Sequence, residues 1–203
     1  MAPFFDGIKS FADVPTEPGI DTLQFLEAAE GLVKLFDVLG NSAFKVVQSD
    51  LTGNIEKIRT RYNAAPEQSK TLESLIEFEA KEAGGDKKKR KAAEALLWLT
   101  RGLSFTAQAL RRHVDTPSEE LNVSFSKAYD ATLSKQHGFV VRGIFSVAMK
   151  ACPYRRDFAV KLYDDKSAAD NSAARPELEK WLSGLERDVA QIDKFLPPYV
   201  KGF

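Results

Sequence analysis

Residues 92–113 read AAEALLWLTRGLSFTAQALRRH, twenty-two positions with no proline and a single glycine. Their apolar residues recur at spacings of three and four and never alternate in twos. That period belongs to a helix with one buried face. A chain that commits so long a stretch to helix must supply other helices to cover it. The remaining segments do so. After the turn PTEPGID at 15–21, with an N-cap expected at Asp21 or Thr22, Leu23, Leu26, Ala29, Val33 and Phe36 follow at helical spacing, and Leu39-Gly40 reads as an end. A second helix is predicted from about Phe44 to Tyr62, broken by Ala65-Pro66, and a shorter one over 68–82.

Downstream of Pro117, the pattern Phe125, Tyr129, Leu133, His137, Val140, Val141, Ile144, Phe145 and Ala148 predicts one long helix over 124–150, ended by Pro153. YRRDFAVKLY is a short helix, 165–175 a polar linker, and Pro176 opens a last long helix that Pro197-Pro198 stops. No convincing strand pattern or internal repeat appears. Periodicity therefore predicts an all-α fold of six to eight helices in a single domain over 1–203. The aromatic C-terminal stretch FLPPYVKGF is expected to be tied against the body.

The chain has 203 residues with 29 basic and 29 acidic side chains. A balanced charge argues against a nucleic-acid partner recognised by bulk electrostatics. The run DKKKRK at 86–91 reads as a solvated loop and helix start, with contact to anionic headgroups as the alternative. One cysteine excludes an internal disulfide and a cysteine-rich zinc site, and two histidines are too few for a histidine-only metal site. No metal and no cofactor are expected. No HExxH, GxSxG or phosphate-binding glycine loop is present, and Cys152 receives no catalytic role. No enzyme activity is expected. The start, MAPFFDGIKSFADVP, does not read as a signal peptide, and no apolar run approaches the roughly 20 residues of a membrane span. A cytoplasmic monomer is the expectation.

Chemistry-bearing residues are sparse. On the second helix Asp50, Asn54 and Lys57 fall within an arc of roughly 60° beside the apolar stripe Leu51, Ile55, Ile58 and Tyr62. They form either an ordinary surface rim or the polar lip of an apolar cavity. Trp98 reads as core or as a flat platform for a sugar ring, with Arg101 one turn later. His137 falls on the apolar face of the long helix predicted over 124–150, as a hydrogen-bonded core residue or a single polar contact in an apolar wall. His113, after Arg111-Arg112 at a helix end, reads as a structural cation suited to the helix dipole.

Four blocks, DLTGNIEKI, LLWLTRGLSF, KQHGFVVRGIF and ACPYRRDF, resemble in order and spacing the glycolipid transfer protein family over roughly residues 20 to 200. The resemblance implies a two-layer sandwich of eight helices with no enzyme activity. It implies one glycosphingolipid as the partner, its sugar at a surface site and its ceramide chains in a collapsible apolar tunnel, with transient contact at membrane surfaces. Matched residue by residue, it makes Trp98 the platform for the first sugar. Asp50, Asn54 and Lys57 would hold that sugar's hydroxyls, Asp50 would also accept from the ceramide amide N–H, and His137 would donate to the ceramide carbonyl. Two positions depart from the animal members. Phe139 stands where they carry a membrane-contacting tryptophan, and Glu94 stands where they carry an apolar residue, which favours a neutral sugar over an anionic headgroup. The rival expectation is a helical protein-interaction or lipid-sensing module in fungal self-recognition.

Overall fold

A computed structural model describes residues 3–40, 42–169 and 175–203. Among these residues lie eight α-helices: α1 (Thr22–Leu39), α2 (Lys45–Ala64), α3 (Leu72–Ala83), α4 (Lys91–Asp115), α5 (Leu121–Ala131), α6 (Phe139–Lys150), α7 (Arg155–Tyr163) and α8 (Pro176–Phe195). They form an all-α sandwich in which α4 is central, packed against α2, α5, α8 and α3. No helix is long and apolar enough to cross a membrane, among the described residues. Residues 170–174 of the linker expected over 165–175 lie outside the described residues.

Local chemistry sets the helix limits. The Asp21 carboxylate accepts from the Gln24 N–H at 2.9 Å to cap α1, and Gly40 in the left-handed region (φ 73°) ends it. Thr71 and Ser74 cap α3 reciprocally. The start of α4 has no cap of its own. A buried carboxylate from α3, Glu79, accepts from the N–H groups of Ala92 and Ala93 at 2.7 and 2.8 Å. It satisfies two of the donors that a helix start leaves unpaired and favours the positive end of the α4 dipole.

On α1 the buried face differs from the periodicity. On α1 the core side chains are Phe25, Leu26, Ala28, Ala29, Leu32, Leu35, Phe36 and Leu39, whereas Leu23 is 39% exposed. The expected face had caught Leu26, Ala29 and Phe36 but was rotated towards solvent. The stripe on α2 is buried as expected at Leu51, Ile55 and Ile58. Trp181 of α8 is core, against Phe11 (centroids 5.4 Å apart) and Phe5 (6.1 Å).

The single helix expected over 124–150 is two. Thr132 leaves the helical region (φ −116°, ψ −88°) and its hydroxyl donates to the Ala128 carbonyl at 2.7 Å. A short 3-10 turn, Leu133–Lys135, follows, and α6 restarts after Gly138 (ψ 171°). The N–H of Thr132 donates to the same carbonyl at 3.0 Å, so both of its donors close the last turn of α5 where the backbone turns away. His137 consequently sits in the connection, not on a helix face.

His113 is also corrected. It is 3% exposed, and its Nδ1 accepts from the Arg155 guanidinium at 2.9 Å. Burial, aided by the Arg155 charge, pushes its pKa down to about 3, so it is neutral and not a cation.

The C-terminal stretch is tied down as expected. Arg90 donates to the Tyr199 carbonyl at 3.3 Å, and Tyr199 and Val200 pack against the core. At the other end Arg187 donates to the carbonyls of Phe11 and Val14, both at 2.9 Å, and Gly184 of α8 lies against that segment. A Cβ at Gly184 would stand 2.2 Å from the Ala12 nitrogen and 2.5 Å from the Phe11 carbonyl carbon. Gly184→Ala must therefore move backbone, and a loss of about 2–3 kcal/mol is expected in urea unfolding; an unchanged midpoint contradicts the close approach.

A second expectation follows from His113. Its unfolded pKa is near 6.5 and its folded value about 3, so the unfolded state binds the proton first and stability falls as pH drops from about 6.5. Between pH 7 and pH 4.5 the wild type should lose about 2 kcal/mol more than His113→Gln in urea unfolding. Equal losses would show that the imidazole titrates freely.

Candidate functional site

The polar trio of α2 lines a cavity of about 490 Å³ between α2, α4 and the α5–α6 connection. α2 and α4 meet where Leu51 covers Gly102, and a Cβ there would lie 2.6 Å from the Leu51 Cδ2. This approach sets Asn54 of α2 and Trp98 of α4 on one cavity. The break at Thr132 folds His137 over the same opening. Val46, Val47, Leu51, Leu133, Val141 and Phe145 supply apolar wall, and Glu94 and Gln136 add polar groups. The trio is thus the lip of a cavity rather than a plain surface rim.

Within the trio Asn54 is the buried member, 4% exposed. Its Nδ2 donates to the Asp50 carbonyl at 3.0 Å, and its Oδ1 receives the Lys57 ammonium at 3.5 Å. Asn54 is thereby oriented, while the carboxylate of Asp50 and the ammonium of Lys57 remain at the exposed edge. Partial desolvation raises the pKa of Asp50, against the pull of His137 and Lys57. Desolvation lowers the pKa of His137, with Asp50 opposing and Arg142 and Arg101 adding to the fall. At neutral pH His137 is an uncharged imidazole, able to donate from one nitrogen and accept at the other.

Trp98 is half-buried, not core. The Arg101 guanidinium lies 4.6 Å from its ring centroid, a cation–π contact that holds the indole plane. The His137 ring lies near-parallel to it, 13° off, with centroids 6.4 Å apart. The cavity therefore presents a flat aromatic surface, a carboxylate, an amide, an ammonium and an imidazole around apolar walls. Such a set suits a neutral, hydroxyl-rich group joined to an apolar body.

Comparison with known proteins identifies the family. Residues 20–164 match the glycolipid transfer protein family. The chain belongs to that family. It is 52% identical over 195 residues to a glycolipid transfer protein of Aureobasidium melanogenum, covering 95% of this chain and 92% of that one. To the glycolipid transfer protein of Danio rerio it is 36% identical over 196 residues, with 94% and 92% covered. The crystal structure of HET-C2, a fungal glycolipid transfer protein, superposes with a TM-score of 0.85 at 43% identity, covering 98% of this chain and 99% of that one. Members of the glycolipid transfer protein family are lipid carriers without catalytic activity.

Residues expected from the sequence at the site, Asp50, Asn54, Lys57, Trp98 and His137, all line the one cavity. Phe139 does not. It stands 92% exposed at the start of α6, on a face with Val140 (73%), Ile144 (41%) and Val147 (63%). Periodicity had assigned Val140 and Ile144 to a buried stripe; α6 instead turns them outward. Cys152 is half-buried beyond the end of α6, and burial pushes its thiol up to about 12, so it stays protonated.

Three contributors escaped the sequence: Tyr129, Phe145 in its role as cavity wall, and Gly102. Tyr129 and Phe145 looked like core at helical spacing. On a continuous helix Tyr129 would lie about 12 Å along the axis from His137; the break brings the Tyr129 hydroxyl to 3.0 Å from His137 Nδ1.

Proposed function

We propose that this chain binds one glycosphingolipid, with the sugar at the cavity between α2 and α4, and carries it between membranes. The observation that carries the reading is the gathering of Trp98, Asp50, Asn54, Lys57 and His137 around one cavity beside an outward apolar helix face. In this reading the first sugar ring stacks on Trp98 with its C–H face, and the trio exchanges hydrogen bonds with its hydroxyls. Asp50 accepts from the ceramide amide N–H and His137 donates to the ceramide carbonyl. A secondary amide needs one acceptor and one donor side by side, and this pair supplies both.

The two hydrocarbon chains are assigned to the apolar interior behind Phe145, where Phe105, Phe125, Phe44 and Phe36 pack edge-on or tilted with centroids 5.6–6.3 Å apart. Exposing such chains to water costs about 0.8 kcal/mol per CH₂, which makes unaided exit from a bilayer slow. A carrier that meets the bilayer and offers an apolar interior removes most of that exposure. Phe139 and its neighbours on α6 are the proposed membrane contact. The contact must be weak enough to reverse, and a single short apolar face meets that requirement. Neutral headgroups are favoured because Glu94 and Asp50 both line the cavity. Protein partners in self-recognition would use the same α6 face, and transfer between protein-free vesicles separates that reading from carriage.

Trp98→Ala tests the headgroup assignment. Its half-buried indole is not part of the packed core, so the circular dichroism melt should stay nearly unchanged. Vesicle-to-vesicle transfer of galactosylceramide should fall roughly tenfold or more. Wild-type transfer by the folded variant would sink the assignment. For membrane contact, Phe139→Ser should leave the melt unmoved and weaken vesicle association severalfold, whereas Phe139→Trp should strengthen it, since the indole N–H suits the interface. Equal association of all three proteins with phosphatidylcholine vesicles would remove Phe139 from the contact.

A further inference from the structure

We infer that Tyr129 is a positioning residue that locks His137 in the tautomer carrying its proton on Nε2, and so makes the ring an obligatory donor towards the cavity. The Tyr129 hydroxyl and His137 Nδ1 are 3.0 Å apart. Either group can in principle donate. If Nδ1 carried the proton, the phenol would accept it, and the phenol's own hydrogen would need a second acceptor. Among the described residues the hydroxyl has no other hydrogen-bond partner, and Tyr129 is only 6% exposed. That hydrogen would have no protein acceptor among the described residues, which disfavours the arrangement. With the phenol donating to Nδ1, the phenol hydrogen and Nδ1 are both paired, and the proton of the neutral ring falls to Nε2 of a half-buried ring that lines the cavity.

The surroundings hold this geometry. Phe145 stacks on Tyr129, 15° from parallel with centroids 4.8 Å apart, and packs against His137 at the same centroid distance. Phe105 meets the Tyr129 ring edge-on at 6.2 Å. Arg142 donates to the His137 carbonyl at 2.8 Å and pins the backbone. Two further conditions agree. Desolvation raises the pKa of Tyr129, keeping it a phenol with a proton to give, and lowers that of His137, keeping the ring neutral.

The consequence deepens the function proposed above and rests on it. Nε2–H can serve a carbonyl but not a second donor, and Asp50, when ionised, can serve an N–H but not a second acceptor. The two side chains then admit an amide in one orientation only. Tyr129 thereby sets the polarity of the site without touching the lipid.

Nitrogen-15 NMR of the full-length protein labelled at histidine reads the tautomer directly, without lipid, at pH 7.5. The His137 signals are assigned by their loss in His137→Gln. Expected are an unprotonated Nδ1 and a protonated Nε2 in the wild type, and a mixture of tautomers in Tyr129→Phe. Transfer of galactosylceramide between phosphatidylcholine vesicles should fall about five- to tenfold in Tyr129→Phe. A wild-type ring protonated on Nδ1 overturns the inference and needs no variant. An unchanged tautomer in Tyr129→Phe, or a changed one with undiminished transfer, also overturns it. A wild type that shows the Nε2–H tautomer but carries no galactosylceramide would refute the proposed function and leave the lock standing.

Discussion

The close approach of α2 to α4 governs the molecule. Gly102 has no side chain where Leu51 needs space, and the two helices meet across that gap. α4 in turn is held at its start by the buried Glu79 carboxylate of α3. From this seam the long α4 contacts α5 and α8, so most of the core is referred to its position. The same seam places Asn54, a buried amide, on a cavity with Trp98. A larger residue at 102 would have to displace the buried Leu51 side chain, which closes this seam and lines the same cavity.

Electrostatics at the site follow from partial burial. Desolvation acts in opposite directions on Asp50 and His137, raising one pKa and lowering the other. Each group's influence on its neighbour opposes that shift. The outcome at neutral pH is an acceptor and a neutral imidazole in one partly dried opening, where hydrogen bonds count for more than in water. Arg101 and Lys57 bring positive charge to the same place, but Arg101 is engaged over the Trp98 ring. In the proposed function the site would therefore recognise its ligand chiefly through directional hydrogen bonds and stacking.

α6 resolves a conflict between hydrophobicity and packing. Its residues are apolar enough for core, yet only Phe145, Ala148 and Met149 are buried. Leaving Phe139, Val140 and Val147 in water forgoes burial worth about 1.5–3 kcal/mol per side chain. This exposed apolar face is the ground on which α6 is proposed as the membrane contact. The interruption at Thr132 lets α6 present that face while His137 stays turned to the cavity.

Helical content, most helix ends and the α2 stripe were legible from periodicity, capping residues and prolines, because those signals act within a few residues. Thr100 and Thr106 hold their hydroxyls to carbonyls four residues back, local contacts of that kind. The site residues were legible because four blocks resembled a known family; their polarity by itself left rim and lip undecided. Only the tertiary structure decided that the 124–150 pattern breaks, that His113 is a neutral buried base, and that Tyr129 reaches His137. The break and the Tyr129 contact lie within eight residues but leave no mark on the apolar spacing, and the state of His113 depends on a partner far along the chain. Arg155 and His113 are 42 positions apart, and the outward turn of α6 depends on which helix faces were already occupied. Periodicity tells that a face is apolar, not what will cover it. Burial, and with it every shifted pKa in this protein's cavity, is a property of the assembled helices.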